Sequence, residues 1–483
     1  MEPLRDRVDA YLAARERRAY RAHSAWDASR LRGGRHPSDG SPGDPGSASE
    51  PSLDADALEE AFGELTSGDV LETLRAEREE TRAGPERAGL ERVLLAAEAA
   101  YTEACVRPQA EQLQRAEREG AGVDEVGALR EELFLARGEV RARLGHATGL
   151  ERARARLPGV DFEAWVRAAE RTLDATDVLY RESSRDLLPR LGIDPAAARQ
   201  EHAARIDHLG GCFETLFPEG RALECLATLL EPLGVVVDRI KGLRIDDEPR
   251  EGRAADVAPF AIWRPGEVVV SAGARVGPRA YAATFHAVGR ALAAAFTAEV
   301  LPVERRRPHD RALEGAWGWW LSDRLADLAW LEDFPAGRNA EALARSLQFR
   351  QLFAQRRCAA QVELAWALAG LSARTDPRRL ADRWAAGLRR ATGLEHVPPR
   401  YLEGQDAELS AIDQMRGRCF AQALAAHLRD RFGWRFWRER RAGSLLKELW
   451  NTGSSYTVEE LASQLGLGAL SPDPWIAAAA RGI

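Results

Sequence analysis

Two residues near the middle of the chain have types and a spacing that suit metal chemistry. His286 lies in an apolar stretch with helical periodicity, and Glu314 follows 28 residues later. Two histidines four residues apart on one helix can reach a single ion, and a carboxylate from a later element can complete the ligand set. A coordination position left open for water would then allow hydrolysis, with a nearby carboxylate as the general base.

The residues next to His286 on this helix do not supply the other groups that this chemistry needs. Ala287 follows His286 directly, and Arg290 lies one turn after it, at the spacing from which a second histidine could reach the same ion. Alanine cannot accept a proton, and a guanidinium stays protonated and has no lone pair for a metal. The sequence therefore predicts that this site has no catalytic residue and binds no metal.

The segment from Thr284 to Leu292, followed by Glu314, resembles the thimet oligopeptidase and oligoendopeptidase F family of zinc peptidases. That family carries the pattern F-H-E-x-G-H-A-L and a later glutamate ligand. The resemblance makes His286, Arg290 and Glu314 the former metal-site positions, with Gly289 among the matching neighbours. It implies that Ala287 stands where the family has its general base and Arg290 where it has its second histidine. It implies a helical zincin fold whose HExxH motif is degenerate.

Further motifs extend this resemblance over about residues 259–474. The segment from Pro259 to Val268 is similar to the hairpin that forms the family's substrate edge, and residues 432–466 follow its closing helices in order. Active relatives place a tyrosine on a late helix, and the resemblance implies that Gln414 replaces it here. We expect this to be a third degenerate position.

A buried arginine is unfavourable unless it is paired. Since the family geometry would leave Glu314 facing Arg290 across the former metal position, we predict an ion pair between these two residues, with His286 beside it.

The sequence therefore predicts a catalytically inactive oligopeptidase-family protein, a pseudopeptidase, whose cleft binds a peptide or a protein partner. One alternative is a zinc-dependent metalloendopeptidase with an atypical site, in which His286, Glu314 and a nearby carboxylate such as Asp310 hold the ion. A second alternative is a helical scaffold that binds partners through its arginine- and glutamate-rich N-terminal helices. We expect no cofactor unless the metallopeptidase alternative holds.

The elements that must position these residues are predicted to be mainly helical, because apolar residues recur at three- and four-residue spacings over most of the chain. One small sheet is predicted just before the central helix, with strands at Val235–Val237, Phe260–Trp263 and Val268–Ser271. A capping-box pattern at Thr457 and Glu460 predicts one of the last helices. The predicted divisions are an N-terminal helix at 1–32, a linker at 33–52, a helical subdomain at 53–233 and a peptidase-like subdomain at 234–483, with the sheet at 234–277.

Composition limits the binding partners and the cellular location that we expect. The net charge of −7 argues against a general nucleic-acid surface, which usually carries a basic excess. No apolar run has the character of a membrane span or of a signal peptide, and the five cysteines form no CxxC pair. We therefore predict a cytoplasmic protein that binds neither nucleic acid nor membrane.

Overall fold

The computed structural model describes residues 9–10, 12–17, 19–20, 23, 68–81, 84–247, 257–272, 276–333, 339–372 and 375–482. The described residues between 9 and 23, called the N-terminal segment below, are helical. The division of the chain at residue 32 stays a prediction. The predicted linker at 33–52 lies outside the described residues.

The first half of the described chain is helical. Its helices are α1 (Gly68–Glu80), α2 (Pro85–Cys105), α3 (Arg107–Glu119), α4 (Val123–Arg143), α5 (Gly149–Arg156), α6 (Phe162–Ala175), α7 (Asp177–Arg190), α8 (Ala203–Asp207) and α9 (Ala222–Leu230). Gly120 has a φ of 75°, a left-handed conformation that suits glycine, and it ends α3 just before the turn into α4.

A three-stranded sheet separates these helices from the second half. Its strands are β1 (Leu243–Asp246), β2 (Ala258–Trp263) and β3 (Glu267–Ser271), in the spatial order β1-β3-β2. β2 and β3 form the predicted antiparallel hairpin, and β1 pairs with β3 in parallel. The prediction of a strand at Val235–Val237 is wrong: Val235 is buried in the core, and Val237 begins a 3₁₀ turn. These valines fill the core without pairing to another strand.

The second half returns to helices. They are α10 (Pro278–Ala295), α11 (Val303–Arg306), α12 (Arg311–Ser322), α13 (Leu328–Asp333), α14 (Ala340–Ala369), α15 (Ala381–Thr392), α16 (Ser410–Phe432), α17 (Arg440–Asn451), α18 (Val458–Gln464) and α19 (Asp473–Gly482). The predicted capping box is present at the start of α18, where Thr457 and Glu460 satisfy each other's backbone N–H groups. The mainly helical fold with one small sheet before the central helix α10 is therefore confirmed.

The largest hydrophobic core lies around α10 and α12. It includes residues from α7 and α9 as well as from the sheet and the later helices, so it spans both sides of the predicted boundary at 233–234. Trp317 and Trp320 on α12 are buried in this core. Their indole rings therefore stabilise the packing of α12 against its neighbours.

Glycines let the helices that carry the predicted site approach each other closely. A Cβ atom added at Gly289 of α10 would lie 2.3 Å from the carbonyl oxygen of Trp317 in α12. A Cβ at Gly318 of α12 would lie 2.5 Å from the His286 ring, and one at Gly417 of α16 would lie 2.4 Å from the carbonyl oxygen of Ala312. The absence of side chains at these positions sets the spacing of α10, α12 and α16.

Among the described helices, none is both long enough and apolar enough to cross a membrane.

We predict that Gly289→Ala lowers the free energy of unfolding by about 1–3 kcal/mol, because its methyl group would push α10 away from the backbone of α12. Gly387→Ala in α15 is the matched control, since a Cβ there meets nothing within 4 Å. We expect it to stabilise the protein by about 0.5–1 kcal/mol through its helix propensity. Urea unfolding of both variants measures the difference, and equal effects would contradict this account of the helix spacing.

Candidate functional site

The predicted site residues meet where α10, α12 and the turn between β2 and β3 converge. Nη2 of Arg290 lies 3.1 Å from Oε1 of Glu314, so the predicted ion pair is present. Nη2 of Arg264, from the hairpin turn, donates a hydrogen bond of 3.2 Å to the same oxygen. One carboxylate oxygen therefore serves two guanidiniums.

The side chains of Glu314, Arg264 and Arg290 differ in their exposure to solvent. The side chain of Arg264 is 10% exposed, that of Glu314 is 23% exposed, and that of Arg290 is 32% exposed. Burial alone would raise the pKa of Glu314, but Arg290 and Arg264 outweigh it and hold this pKa at about 2. Glu314 is therefore an anion at neutral pH, committed to its two partners.

His286 packs beside this pair without joining it. Its ring centroid lies 5.4 Å from that of Trp319, and Gly318 lies directly against the ring. Burial, followed by the positive charges of Arg290 and Arg418, lowers the pKa of His286 to about 3. The imidazole is therefore neutral at physiological pH, as a packed side chain in a positively charged surrounding should be.

Ala287 is 1% exposed and belongs to the hydrophobic core. Its methyl group supplies no proton acceptor, as the sequence predicts. Gln414 lies on α16 with an exposed side chain, one turn before Arg418. No hydrogen bond or ion pair among the described residues joins Gln414 to His286 or Glu314, so its assignment as a replaced catalytic residue stays a prediction.

Asp310, the extra metal ligand suggested by the metallopeptidase alternative, is committed elsewhere. Its carboxylate is fully buried and accepts hydrogen bonds of 2.9 and 3.0 Å from the two Nη atoms of Arg416. It also accepts the backbone N–H groups of Ala312 and Val458. Asp310 therefore caps α12 and joins it to α16 and α18, and it has no lone pair left for an ion.

These residues do not fit a zinc ion. A catalytic zinc site needs three protein ligands and an open position. Here Glu314 is bound by two cations, Arg290 cannot act as a ligand, and Asp310 is bound by Arg416. Within the part of the chain that the structure describes, no group of three or more histidine, cysteine, aspartate or glutamate side chains could hold a metal.

The N-terminal segment brings further charged groups to the same region. Burial, and then the like charge of Glu314, raise the pKa of Glu16. Asp9 pairs with Arg307 at 2.7 Å, while Arg17 pairs with Glu267 at 2.5 Å. The segment therefore lies along the hairpin that the resemblance assigns to substrate binding.

Two backbone carbonyl groups of β2, in that hairpin, accept hydrogen bonds from Arg307. Nη1 of Arg307 lies 3.3 Å from the carbonyl oxygen of Ala261, and its Nη2 lies 3.1 Å from that of Ile262. Both terminal nitrogens of this guanidinium therefore donate to backbone oxygens of β2. A peptide that added to this strand would compete with Arg307 for those oxygens.

The sequence analysis missed Arg264, Glu16 and Arg418. Arg264 occupies a predicted hairpin turn, where an arginine is ordinarily exposed, and Glu16 lies nearly 300 residues before Glu314. Only the tertiary fold brings them together. The sequence offered one signal. A buried Glu314 carboxylate needs positive charge around it, which suggests a second cation but does not identify the residue.

Comparison with solved structures identifies the fold. The M32 carboxypeptidase from Deinococcus radiodurans R1 matches 99% of this chain and 97% of its own, with a TM-score of 0.61 and 14% identity. A Pyrococcus furiosus carboxypeptidase matches 99% and 98%, with a TM-score of 0.63 and 10% identity. A protein described as an oligoendopeptidase F matches 88% and 80%, with a TM-score of 0.55 and 14% identity.

No protein-family model matches the chain, and no curated protein matches it in sequence. At identities of 10–14% these structural matches establish the architecture alone. The resemblance to the oligoendopeptidase F family is therefore supported at the level of the fold, which carboxypeptidases share. The chain has the helical, zincin-type fold of these metallopeptidases.

We predict that Glu314→Gln lowers the free energy of unfolding by about 2–3 kcal/mol, because it leaves Arg264 and Arg290 partly buried without a counter-charge. Glu363→Gln is the control, since its side chain is 46% exposed and it pairs with Arg383 at the surface. We expect that variant to change stability by less than about 0.5 kcal/mol. Urea denaturation at pH 7 compares them, and a neutral Glu314→Gln would contradict the role given to this carboxylate.

The same variant has a defined pH signature. Glu314 is an anion in the folded state down to a pKa of about 2, against an ordinary value of 4.5. Its stabilising contribution is therefore fully present above pH 4.5 and is lost as the pH falls from 4.5 towards 2. His286, whose folded pKa is about 3 against 6.5, resists protonation on folding, so its share of stability is lost as the pH falls from 6.5 towards 3.

We therefore expect His286→Gln to reduce the loss of stability between pH 6.5 and 4.5, by about 2 kcal/mol at most. We expect Glu314→Gln, which is less stable already at pH 7, to change the slope of stability against pH only below pH 4.5. Unfolding free energies measured across this range at constant ionic strength test both windows. An unchanged slope above pH 4.5 in His286→Gln would show that His286 is not held neutral by the fold.

Proposed function

We propose that this chain is a pseudopeptidase, a protein with a metallopeptidase fold that binds a peptide or protein segment and does not hydrolyse it by the zinc-and-water mechanism. The observation that carries the proposal is the Glu314 carboxylate held between Arg264 and Arg290. On this proposal, the salt bridge of the chain's own side chains takes the place of the metal.

Electrostatics support the loss of metal chemistry. The guanidiniums of Arg264 and Arg290 both lie against Glu314, and a divalent cation placed there would be repelled by both. The neutral imidazole of His286 would be the one remaining nitrogen ligand. A single histidine does not provide the affinity of a three-ligand site.

The binding role rests on the space between the N-terminal helices and α11–α12, called the interhelical cleft below. Two adjoining cavities of about 150 and 410 Å³ lie in it, lined from one side by α2, α4 and α5 and from the other by residues 303–311 and 402–408. Their combined size suits a few side chains of a peptide or a small organic ligand. In peptidases of this fold, by analogy, a cleft between helical halves is where a substrate would lie.

The first test is metal content together with hydrolysis. We expect the purified protein, made without chelators, to carry less than about 0.1 zinc per chain by mass spectrometry. We also expect it to leave quenched fluorescent peptides intact with and without added zinc. One mole of tightly bound transition metal per mole of protein, or cleavage that a chelator stops, would establish the atypical metallopeptidase instead.

The second test rebuilds the ligand set. Arg290→His removes the permanent cation and places two imidazoles four residues apart, so we expect this variant to bind Co²⁺ with the visible absorption of a tetrahedral site. Arg290→Gln removes the same charge without supplying a ligand, and we expect it to bind no Co²⁺. Binding by the Gln variant, or by the unaltered protein, would contradict the claim that Arg290 is what excludes the metal.

A further inference from the structure

The interhelical cleft is lined by an unusual number of arginines. Arg92 comes from α2, Arg141 from α4, Arg152 and Arg156 from α5, and Arg311 from the start of α12. Leu12 and Arg15 of the N-terminal segment form part of the same walls. Side chains from distant parts of the sequence therefore bring positive charge to one enclosed space.

Arg152, Arg156 and Arg311 pair with the carboxylates of Glu408 and Asp413. Glu408 pairs with Arg152 at 2.5 Å and with Arg311 at 2.9 Å. Arg156 pairs with Asp413 at 2.7 Å, and its second Nη atom is buried without a hydrogen-bond partner among the described residues. The carboxylates of Glu408 and Asp413 are thus already bound to arginines.

Arg141 differs from Arg152, Arg156 and Arg311 in having no carboxylate partner within the described part of the chain. It is 5% exposed, and among the described residues its side chain makes no ion pair and no hydrogen bond. It lines the cavity of about 410 Å³ together with Arg152 and Arg311. Burial, which outweighs the distant attraction of Glu408, lowers the pKa of the Arg141 guanidinium.

A buried cation without a partner is costly, and a fold normally either pairs it or exposes it. Arg141 does neither, although Arg143, two residues later on the same helix, is exposed. A guanidinium that faces a cavity offers a fork of N–H donors whose geometry matches carboxylate and phosphate oxygens. The missing partner therefore has the chemistry of an oxyanion.

We propose that the interhelical cleft binds an oxyanion, a carboxylate or a phosphate, through the guanidinium of Arg141, with Arg152 and Arg311 completing a positive wall. The ligand binds as an anion and forms an ion pair with Arg141, so no covalent bond is made or broken. The oxygens can belong to a small free anion or to an acidic side chain of a bound peptide.

This inference deepens the proposed binding role and rests on it, but it does not require the loss of hydrolysis. Within the described residues, Arg141, Arg152 and Arg311 make no hydrogen bond or ion pair with His286 or Glu314. A chain that cleaved peptides and still bound anions through Arg141 would lose the pseudopeptidase proposal and keep this one.

The experiment is binding by calorimetry and by thermal shift, at constant ionic strength set with chloride. The probes are inorganic phosphate, citrate, a blocked tetraglutamate peptide and its tetraglutamine counterpart. We expect at least one anionic probe to bind saturably and raise Tm, and the tetraglutamine peptide to do neither. Binding of phosphate or citrate points to a free anion, whereas binding of the tetraglutamate peptide alone points to an acidic peptide segment.

Variants then locate the site. We expect Arg141→Met to weaken binding of the effective probe at least tenfold, and Arg141→Lys, which keeps the charge but loses the fork, to weaken it less. Arg143→Met removes the same charge from the exposed face of α4, and we expect its affinity to stay within twofold of the unaltered protein.

A stability measurement separates a binding role from a structural one. Because Arg141 has no partner to lose, we expect Arg141→Met to leave the Tm of the ligand-free protein unchanged or to raise it. A large fall in Tm would mean that Arg141 supports the fold and would overturn the proposal. So would equal affinities in Arg141→Met and Arg143→Met, or the absence of saturable binding by every anionic probe.

Discussion

The carboxylate of Glu314 holds together three parts of the molecule. Arg264 reaches it from the β2–β3 turn, Arg290 reaches it from α10, and Glu314 itself belongs to α12. Since burial opposes the charge on all three groups, the carboxylate and the two guanidiniums each depend on the opposite charge for their stabilisation inside the protein. The interaction that ties the hairpin to the helices is also the one on which the proposed loss of metal chemistry rests.

Two other features fix where that carboxylate lies. Asp310 caps the start of α12 and, through Arg416, ties it to α16 and α18, so the helix that carries Glu314 begins at a rigid point. Along the helix, Gly289 and Gly318 allow α10 and α12 to touch through their backbones. Arg290 and Glu314 are therefore brought within ion-pair distance by backbone packing and not by flexible side chains alone.

Much of this could be read from the sequence because it depends on local patterns. The helices follow from the spacing of apolar residues, the β2–β3 hairpin from β-branched residues on either side of Pro265 and Gly266, and α18 from the cap at Thr457. The pairing of Arg290 with Glu314 followed from the geometry that the family resemblance implies, together with the rule that buried charges need partners. β1 was missed because its Leu-Arg-Ile-Asp pattern is short and polar, whereas the valines at 235–237 look like a strand but pack as core residues. Arg264, Glu16 and Arg141 could not be foreseen, because their surroundings come from segments far apart in the chain.

The N-terminal segment has a consequence for how the chain folds. Asp9 contacts Arg307, which lies 298 positions later in the chain, and Tyr20 contacts Asp246, which lies 226 positions later. During synthesis this segment therefore leaves the ribosome long before its docking surface exists, and it can pack only after the sheet and α11 have formed. The N-terminal segment is thus among the last described parts of the chain to pack, and the interhelical cleft acquires the wall formed by Leu12 and Arg15 only at that late stage.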